Sequence, residues 1–236
     1  HALEFTDNVQ FVSVVGTEPW IEPCIRKFVQ MENDKIVRCE EFTTVRKLRF
    51  VEPYKEGVEL NKLFSVNYIN DAEISDSAEK KILDSLASIL TDFDLVIVMD
   101  FGHGLMTPKI RELVQEKAPF LSLNCQTNSY NHGYNVINRQ YQRADSFSLD
   151  ETEIKLFCGS KKPDFPVELE TLKKELSATY AWLTRGAIET LGSRDESQFC
   201  RCPSLENVVI DPVGAGDAFC TMASLAAAKG LPLDVS

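Results

Sequence analysis

DLVIVMD, residues 94–100, is a continuous apolar run with an acid at each end. It lacks the polar alternate positions of a half-wetted strand, so a strand built from it must be covered on both faces, as in a parallel sheet. FGHG (101–104) follows, and then Thr107-Pro108, where proline suits the first turn of a helix because that turn has no intrahelical N–H bond to lose. The same form recurs downstream. FLSLN (120–124), ADSFSL (144–149), TYAWLTRG (179–186) and NVVIDP (207–212) read as further buried strands, with helix-length segments between most of them. This rhythm predicts an α/β fold with a doubly wound, mostly parallel sheet and helices on both faces. Ligands in such sheets sit at the carboxyl ends of the strands, which singles out Asp100, Asn124, Asp150, Thr184 and the loop after Ile210.

Upstream, VQFVSVV (9–15) reads as a strand ended by Gly16, and PWIEPCIRKFVQ (19–30) as a helix after its second proline. Residues 35–51 mix β-branched residues with alternating charges, which suits exposed antiparallel strands. They are the start of a small β lid inserted at about residues 35–70 of a single domain spanning 1–236. ISDSAEKKILDSLASIL (74–90) is an amphipathic helix, apolar at 78, 82, 83, 86, 87 and 90. The polar, aromatic stretch SYNHGYNVINRQYQ (129–142) has no assignable role from its residues alone.

The formal net charge of −11 disfavours a nucleic-acid partner, since an acidic surface repels phosphate backbones. No apolar run approaches the ~20 residues of a membrane span, and the opening HALEFTD has neither the basic start nor the apolar core of a leader. The seven cysteines form no CxxC pair, and Cys200 and Cys202 are badly spaced for zinc. Reduced thiols in a cytoplasmic protein are the expectation.

The sharpest motif is DPVGAGDAFCTMASLAAAKG (211–230). Gly214, Ala215 and Gly216 permit a sharp turn without bulky side chains, and an alanine-rich helix starts at once and closes at Gly230. Unpaired N–H groups at a helix start attract anions. An aspartate in that turn, Asp217, faces the same anion, a placement that makes sense for a base acting on a hydroxyl about to attack phosphorus. The alternative is an aspartate that merely caps the helix. Asp150 and Glu153, three apart at a strand-to-helix turn, share a face and can order a hydrated cation. They also fit ordinary helix-start acids favoured by the dipole.

VVIDPVGAGDAF resembles the DTxGAGD signature of the ribokinase-like (PfkB) carbohydrate kinases, with Pro212 where threonine is usual. SFSLDETEIKLF (146–157) resembles their N-x-x-E segment, with Asp150 in place of asparagine, and WLTRGAIETLG (182–192) their phosphate- and ribose-contacting turn. VMDFGHGLMTPKIRELV and TTVRKLRFV are similar to the DYxKG and lid segments of the heptose-phosphate kinase branch. The resemblance implies Asp217 as catalytic base, with the Gly214, Ala215 and Gly216 amides stabilising the transferred phosphoryl group. It implies ATP contacts at Thr184 and Gly186, and Mg²⁺ ordered through water by Asp150 and Glu153. Asp211 would help to hold a monovalent cation, K⁺ among the candidates. Asp100, Gly102, Gly104 and Asn124 would line the sugar end of the cleft, and Lys47 and Arg49 would meet a substrate phosphate. For both cations, a solvated strand face is an equal alternative.

The expectation is therefore an ATP-dependent kinase acting on a sugar or sugar phosphate. Its rivals are a nucleoside or vitamin kinase of the same fold and a non-catalytic nucleotide- or sugar-binding module. The resemblance also allows a homodimer through the lid and a fused nucleotidyltransferase domain in a longer protein, although the HxGH signature of that activity does not occur in these residues. The glycine-rich sugar-binding segment of the family is absent too, so the chain reads as truncated at both ends. On that reading it would bind ATP weakly by itself and turn over no sugar.

Overall fold

The computed structural model describes residues 1–28, 35–52, 61–70, 72–128, 130–194, 199–205 and 211–234. The apolar runs become the parallel part of the sheet, with DLVIVMD supplying its edge strand. Val96–Asp100 (β5), Leu121–Cys125 (β6), Ser146–Asp150 (β7) and Tyr180–Thr184 (β8) lie side by side and parallel. β6 is buried along its whole length, as a strand covered on both faces must be. Two further strands, Glu189–Ser193 (β9) and Phe199–Pro203 (β10), extend the sheet antiparallel, giving the order β10-β9-β8-β7-β6-β5. These two had no counterpart in the sequence reading. The strand expected at 207–212 falls largely on residues outside the described ones.

Helices return the chain between the parallel strands. Pro108–Lys117 (α3) begins as predicted, its N-cap Thr107 hydroxyl accepting from the Ile110 N–H. Asp76–Ile89 (α2) buries Ala78, Ile82 and Leu86 on its predicted face, with Ala87 left exposed. Ile137–Gln140 (α4) is a single turn, while Glu151–Cys158 (α5) and Phe165–Glu175 (α6) follow β7. Ile21–Phe28 (α1) starts two residues ahead of its second proline. Pro23 is tolerated because the first turn has free N–H groups in any case.

Ala215–Ala228 (α7) packs on the sheet through small residues. Ala223 and Ala227 meet Tyr180 and Trp182, and Phe219 meets the Trp182 ring edge-on at 6.4 Å. The Ser224 hydroxyl donates to the Cys220 carbonyl, so its 2.6 Å contact with Ser122 has Ser122 as donor. Small side chains on both surfaces let the helix approach closely, and this fixes its N-terminus over the carboxyl ends of β6 and β7.

The segment read as exposed antiparallel strands divides in two. Lys35–Arg38 (β2) pairs parallel with Val12–Val15 (β1), not with the lid. Its charges stand at its ends, while Val37 packs into the main core with Ile82. Arg46–Val51 (β3) and Lys62–Tyr68 (β4) form the expected antiparallel hairpin, a separate two-stranded sheet. Its outer face carries Leu48, Val66 and the stacked rings of Phe50 and Phe64, all exposed. Lys47 and Arg49 lie on the opposite, cleft-lining face.

Among the described residues β5 pairs only with β6, and β1 only with β2. A cavity of about 1570 Å³ runs between their unpaired edges, walled there by Val12, Val14, Val96 and Val98. Among the described residues no helix is long and apolar enough to cross a membrane.

Candidate active site

The polar end of the same cavity lies where β5, β6, β7 and β8 end, and it collects Lys47, Asn124, Gln126, Asp150, Glu153 and Asp217. The GAGD turn behaves as its residues require. Gly214 takes the left-handed conformation (φ 82°) at the N-cap of α7, and nothing lies within 4 Å of where a Cβ would stand. The Ala215 N–H is taken by the Pro212 carbonyl at 3.2 Å, and the first helical bond runs from the Ala218 N–H to the Gly214 carbonyl. The N–H groups of Gly216 and Asp217 find no carbonyl among the described residues, so this helix start retains the anion-binding character expected of it. Of the predicted trio of amides, Ala215 is thus the one already engaged. Asp211 accepts from the Val213 N–H through Oδ1 at 2.9 Å, closing the turn, and is otherwise exposed.

Asp217 is the third helical residue and is half-buried. Its Oδ1 accepts from Gln126 Nε2 at 2.6 Å. Lys47 reaches toward it from the lid, with its ammonium over the Phe101 ring at 5.5 Å. Burial and the neighbouring Arg49 hold the Lys47 ammonium below the usual lysine range, and the Asp217 charge partly restores it. Lid and helix therefore sense each other electrostatically across the cleft.

Asp150 and Glu153 form a reciprocal capping box. Asp150 Oδ1 accepts from the Thr152 and Glu153 N–H groups, and Glu153 Oε2 accepts from the Asp150 N–H at 2.8 Å. Both acids thus stand at a helix start, as the alternative reading had them, and they cap it reciprocally. Glu153 does more than cap, however, because its Oε1 accepts from the Thr127 N–H at 3.0 Å and ties the loop after β6 to α5. Burial, with the Asp150 and Asp217 charges adding to it, pushes the Glu153 carboxyl up to about 8. Among the described residues no three His, Cys, Asp or Glu side chains converge as a metal cage. The surplus of carboxylates around a buried Glu153 nevertheless suits a hydrated cation, which would relieve their mutual repulsion.

Thr184 lies opposite Asp150 in the sheet and donates its hydroxyl to the Leu149 carbonyl at 3.2 Å. Gly186 makes the open left-handed turn after it (φ 55°). Glu189 is held by Arg185 and Arg201.

Asp100 is placed differently from the sequence expectation. Its side chain is 3% exposed and faces the interior, where Oδ2 meets the Tyr141 hydroxyl at 2.8 Å and Arg111 Nη2 at 3.2 Å. Oδ1 accepts from the Gly102 N–H at 2.9 Å. Burial and the Asp100 charge drive the Tyr141 phenol well above its ordinary range. This carboxylate holds the 101–104 loop in place where β5 ends at the cavity, with its oxygens engaged by protein groups. Gly104 in that loop is obligatory: its φ is 88°, and a Cβ would stand 2.0 Å from the Ala72 carbonyl.

The polar stretch after β6 now has a role. Asn128 and Asn131 donate to the Phe101 carbonyl, and Asn135 donates to the Asp100 and Gln126 carbonyls. The asparagines clasp the two strand ends together by bonding backbone carbonyls at those ends, the Asp100 carbonyl also accepting from the Gln126 N–H at 2.8 Å. Their repetition in NSYNHGYN (128–135) was the available signal. Asn124 is buried beside β7 and points at Ser148, so it too serves the protein interior.

No protein-family profile matches the chain. It is similar to the bifunctional protein HldE of Wolinella succinogenes, with 25% identity over 206 residues, covering 86% of this chain and 41% of that protein. The chain therefore spans less than half the length of this relative. Among solved structures it matches phosphofructokinase-2 from Escherichia coli in complex with substrates and products (TM-score 0.68, 12% identity, 95% of this chain and 71% of that one). It also matches Arabidopsis thaliana ribokinase complexed with ribose and ATP (TM-score 0.64, 13% identity, 95% and 70%). The fold is the ribokinase-like α/β fold, and the family resemblance read from the sequence is borne out by these matches.

Proposed function

We propose that the protein transfers the γ-phosphoryl group of ATP to a hydroxyl of a sugar or sugar phosphate, with a heptose phosphate as the nearest substrate class. The observation that carries this reading is one carboxylate, Asp217, set at a helix start where two N–H groups find no carbonyl among the described residues, and faced by a lid lysine. The kinase-type relatives support it. In this reading Asp217 takes the proton of the attacking hydroxyl, and the Gly216 and Asp217 amides meet the phosphoryl oxygens. Lys47 and Arg49 bind a phosphate on the acceptor. Gly214 gives the turn its shape, and Thr184 and Gly186 border the nucleotide. The Asp211 carboxylate is a ligand for a monovalent cation such as K⁺.

Mg²⁺ would supply neutralisation of the phosphate charge, with Asp150 and Glu153 holding its waters. That assignment has a proton signature. Glu153 titrates at about 8, so much of it is protonated at neutral pH, and an added cation favours its ionised form. Binding of ATP with Mg²⁺ below that pH should release more protons from the parent than from Glu153→Gln. The variant should also need more Mg²⁺ for half-maximal rate. Calorimetry in buffers of different ionisation enthalpy reads the first effect, and equal proton release by the two proteins would contradict the assignment.

The lid supports a homodimer. An isolated two-stranded hairpin is marginal in water, and this one exposes Phe50 and Phe64 on its outer face. A second lid laid against that face would cover them. Phe64→Asp should then sediment as a monomer where the parent sediments as a dimer, and an unchanged sedimentation coefficient would overturn the lid interface. The bifunctional relative supports a second activity in the natural protein, for which a nucleotidyltransferase domain is our reading, with the described residues forming a kinase domain whose lid is an insertion.

A further inference from the structure

Between the interior of β7 and Asp217 runs a chain of two side-chain amides. Asn124 Nδ2 lies 3.1 Å from the Ser148 carbonyl oxygen and 3.2 Å from the Ser148 hydroxyl. Gln126 Nε2 lies 2.5 Å from Asn124 Oδ1 and 2.6 Å from Asp217 Oδ1. Both ends of the chain dictate its direction. A backbone carbonyl can only accept, so Asn124 must turn its NH₂ to Ser148 and its oxygen to Gln126. That oxygen can only accept, so Gln126 must offer NH₂, and the same nitrogen meets the carboxylate. Each of its two protons then has one acceptor. The Gln126 backbone is pinned as well, its N–H to the Asp100 carbonyl at 2.8 Å and its C=O to Asn135 at 3.1 Å.

We propose that Gln126 is a positioning residue for Asp217, with Asn124 fixing which face of the Gln126 amide it presents. This deepens the reading of Asp217 as base and rests on it. One oxygen of the base is held by Gln126, which sets the carboxylate plane and leaves the other oxygen for the substrate hydroxyl. The arrangement also explains an amide in place of an acid at position 124. An aspartate there would direct an oxygen at the Ser148 carbonyl and add a charge beside Glu153, Asp150 and Asp217.

One arm of the test needs no turnover. In amide spectra of the natural protein, the Gln126 side-chain protons, identified by their loss in Gln126→Leu, should exchange slowly with water and shift in Asp217→Ala. Unshifted protons would overturn the contact and the proposal. The kinetic arm compares variants. Gln126→Leu should lower kcat about tenfold, the scale of one hydrogen bond to a charged group, with nucleotide KM unchanged. Asn124→Leu, which does not touch Asp217, should do the same, and the double variant should be no worse than either single one. Gln126→Glu adds a carboxyl that repels Asp217 when ionised but can donate when protonated. The ratio of its kcat to that of the parent should therefore rise as pH falls, a trend that loss of packing would not produce. Turnover lost in Asp217→Asn but kept in Gln126→Leu and Asn124→Leu would sink the proposal alone. Turnover kept in Asp217→Asn would sink the base reading and the proposal with it.

Discussion

Asp217→Asn is expected to lower kcat by ~10²–10⁴, the range that general-base catalysis contributes, while ATP affinity holds or improves. The substitution keeps the volume of the side chain and removes its ability to take a proton. It also removes a negative charge from the mouth of the helix start proposed to receive phosphate, which is why affinity should not fall. The Gln126 contact survives, because an asparagine oxygen can still accept from Gln126 Nε2. Loss of turnover would therefore not reflect collapse of the turn, and an unaltered melting temperature would show this directly. A capping aspartate without catalytic duty predicts the opposite pair of results: little change in rate and a small loss of stability.

The second large effect belongs to Asp100. Asp100→Leu should destabilise the fold by about 3–5 kcal/mol, because removing one partner of a buried ion pair leaves the other charge uncompensated. Arg111 and the Tyr141 hydroxyl would lose their shared acceptor, and the Gly102 N–H would lose its own. For a chain of 236 residues this corresponds to a melting temperature lower by on the order of 10 °C. A carboxylate that contacts the sugar predicts a different outcome, with weaker sugar binding and an almost unchanged melting temperature. Thermal unfolding of the variant separates the two.

That contrast shows where the sequence could be read and where it could not. The strands β5 to β8 were legible because each is a short apolar run, buried almost throughout in β6, β7 and β8 and half-buried at the β5 edge. The GAGD turn was legible because glycine, alanine and aspartate each have one physical reason to stand there. Strand-end rules correctly located Asp100 and Asn124 but could not give the direction of either side chain. Asp100 turns inward to Arg111, and Asn124 inward to Ser148. Both partners are distant in sequence, and no local pattern announces them. β2 was misread because Lys35 and Arg38 mark its ends as if it were exposed, whereas Val37 between them is core. Helix-start acids were foreseen as an alternative for Asp150 and Glu153, but their reciprocal capping box was not, nor was the bond from the Thr127 N–H to Glu153, which joins residues 26 apart. Gln126 carries no motif at all. Its part emerges only when β6 and α7 are brought together by the serine and alanine surfaces that pack them.

Sugar-dependent ADP release is the measurement closest to the central claim, made on the natural protein with a panel of sugars and sugar phosphates in the presence of ATP and Mg²⁺. The account predicts that at least one sugar or sugar phosphate raises ADP release above the ATP-only rate, that one product is its phosphorylated form, and that Asp217→Asn abolishes the increment. Sugar-dependent release that persists undiminished in Asp217→Asn, or ATP bound with no increment from any member of the panel, would contradict it.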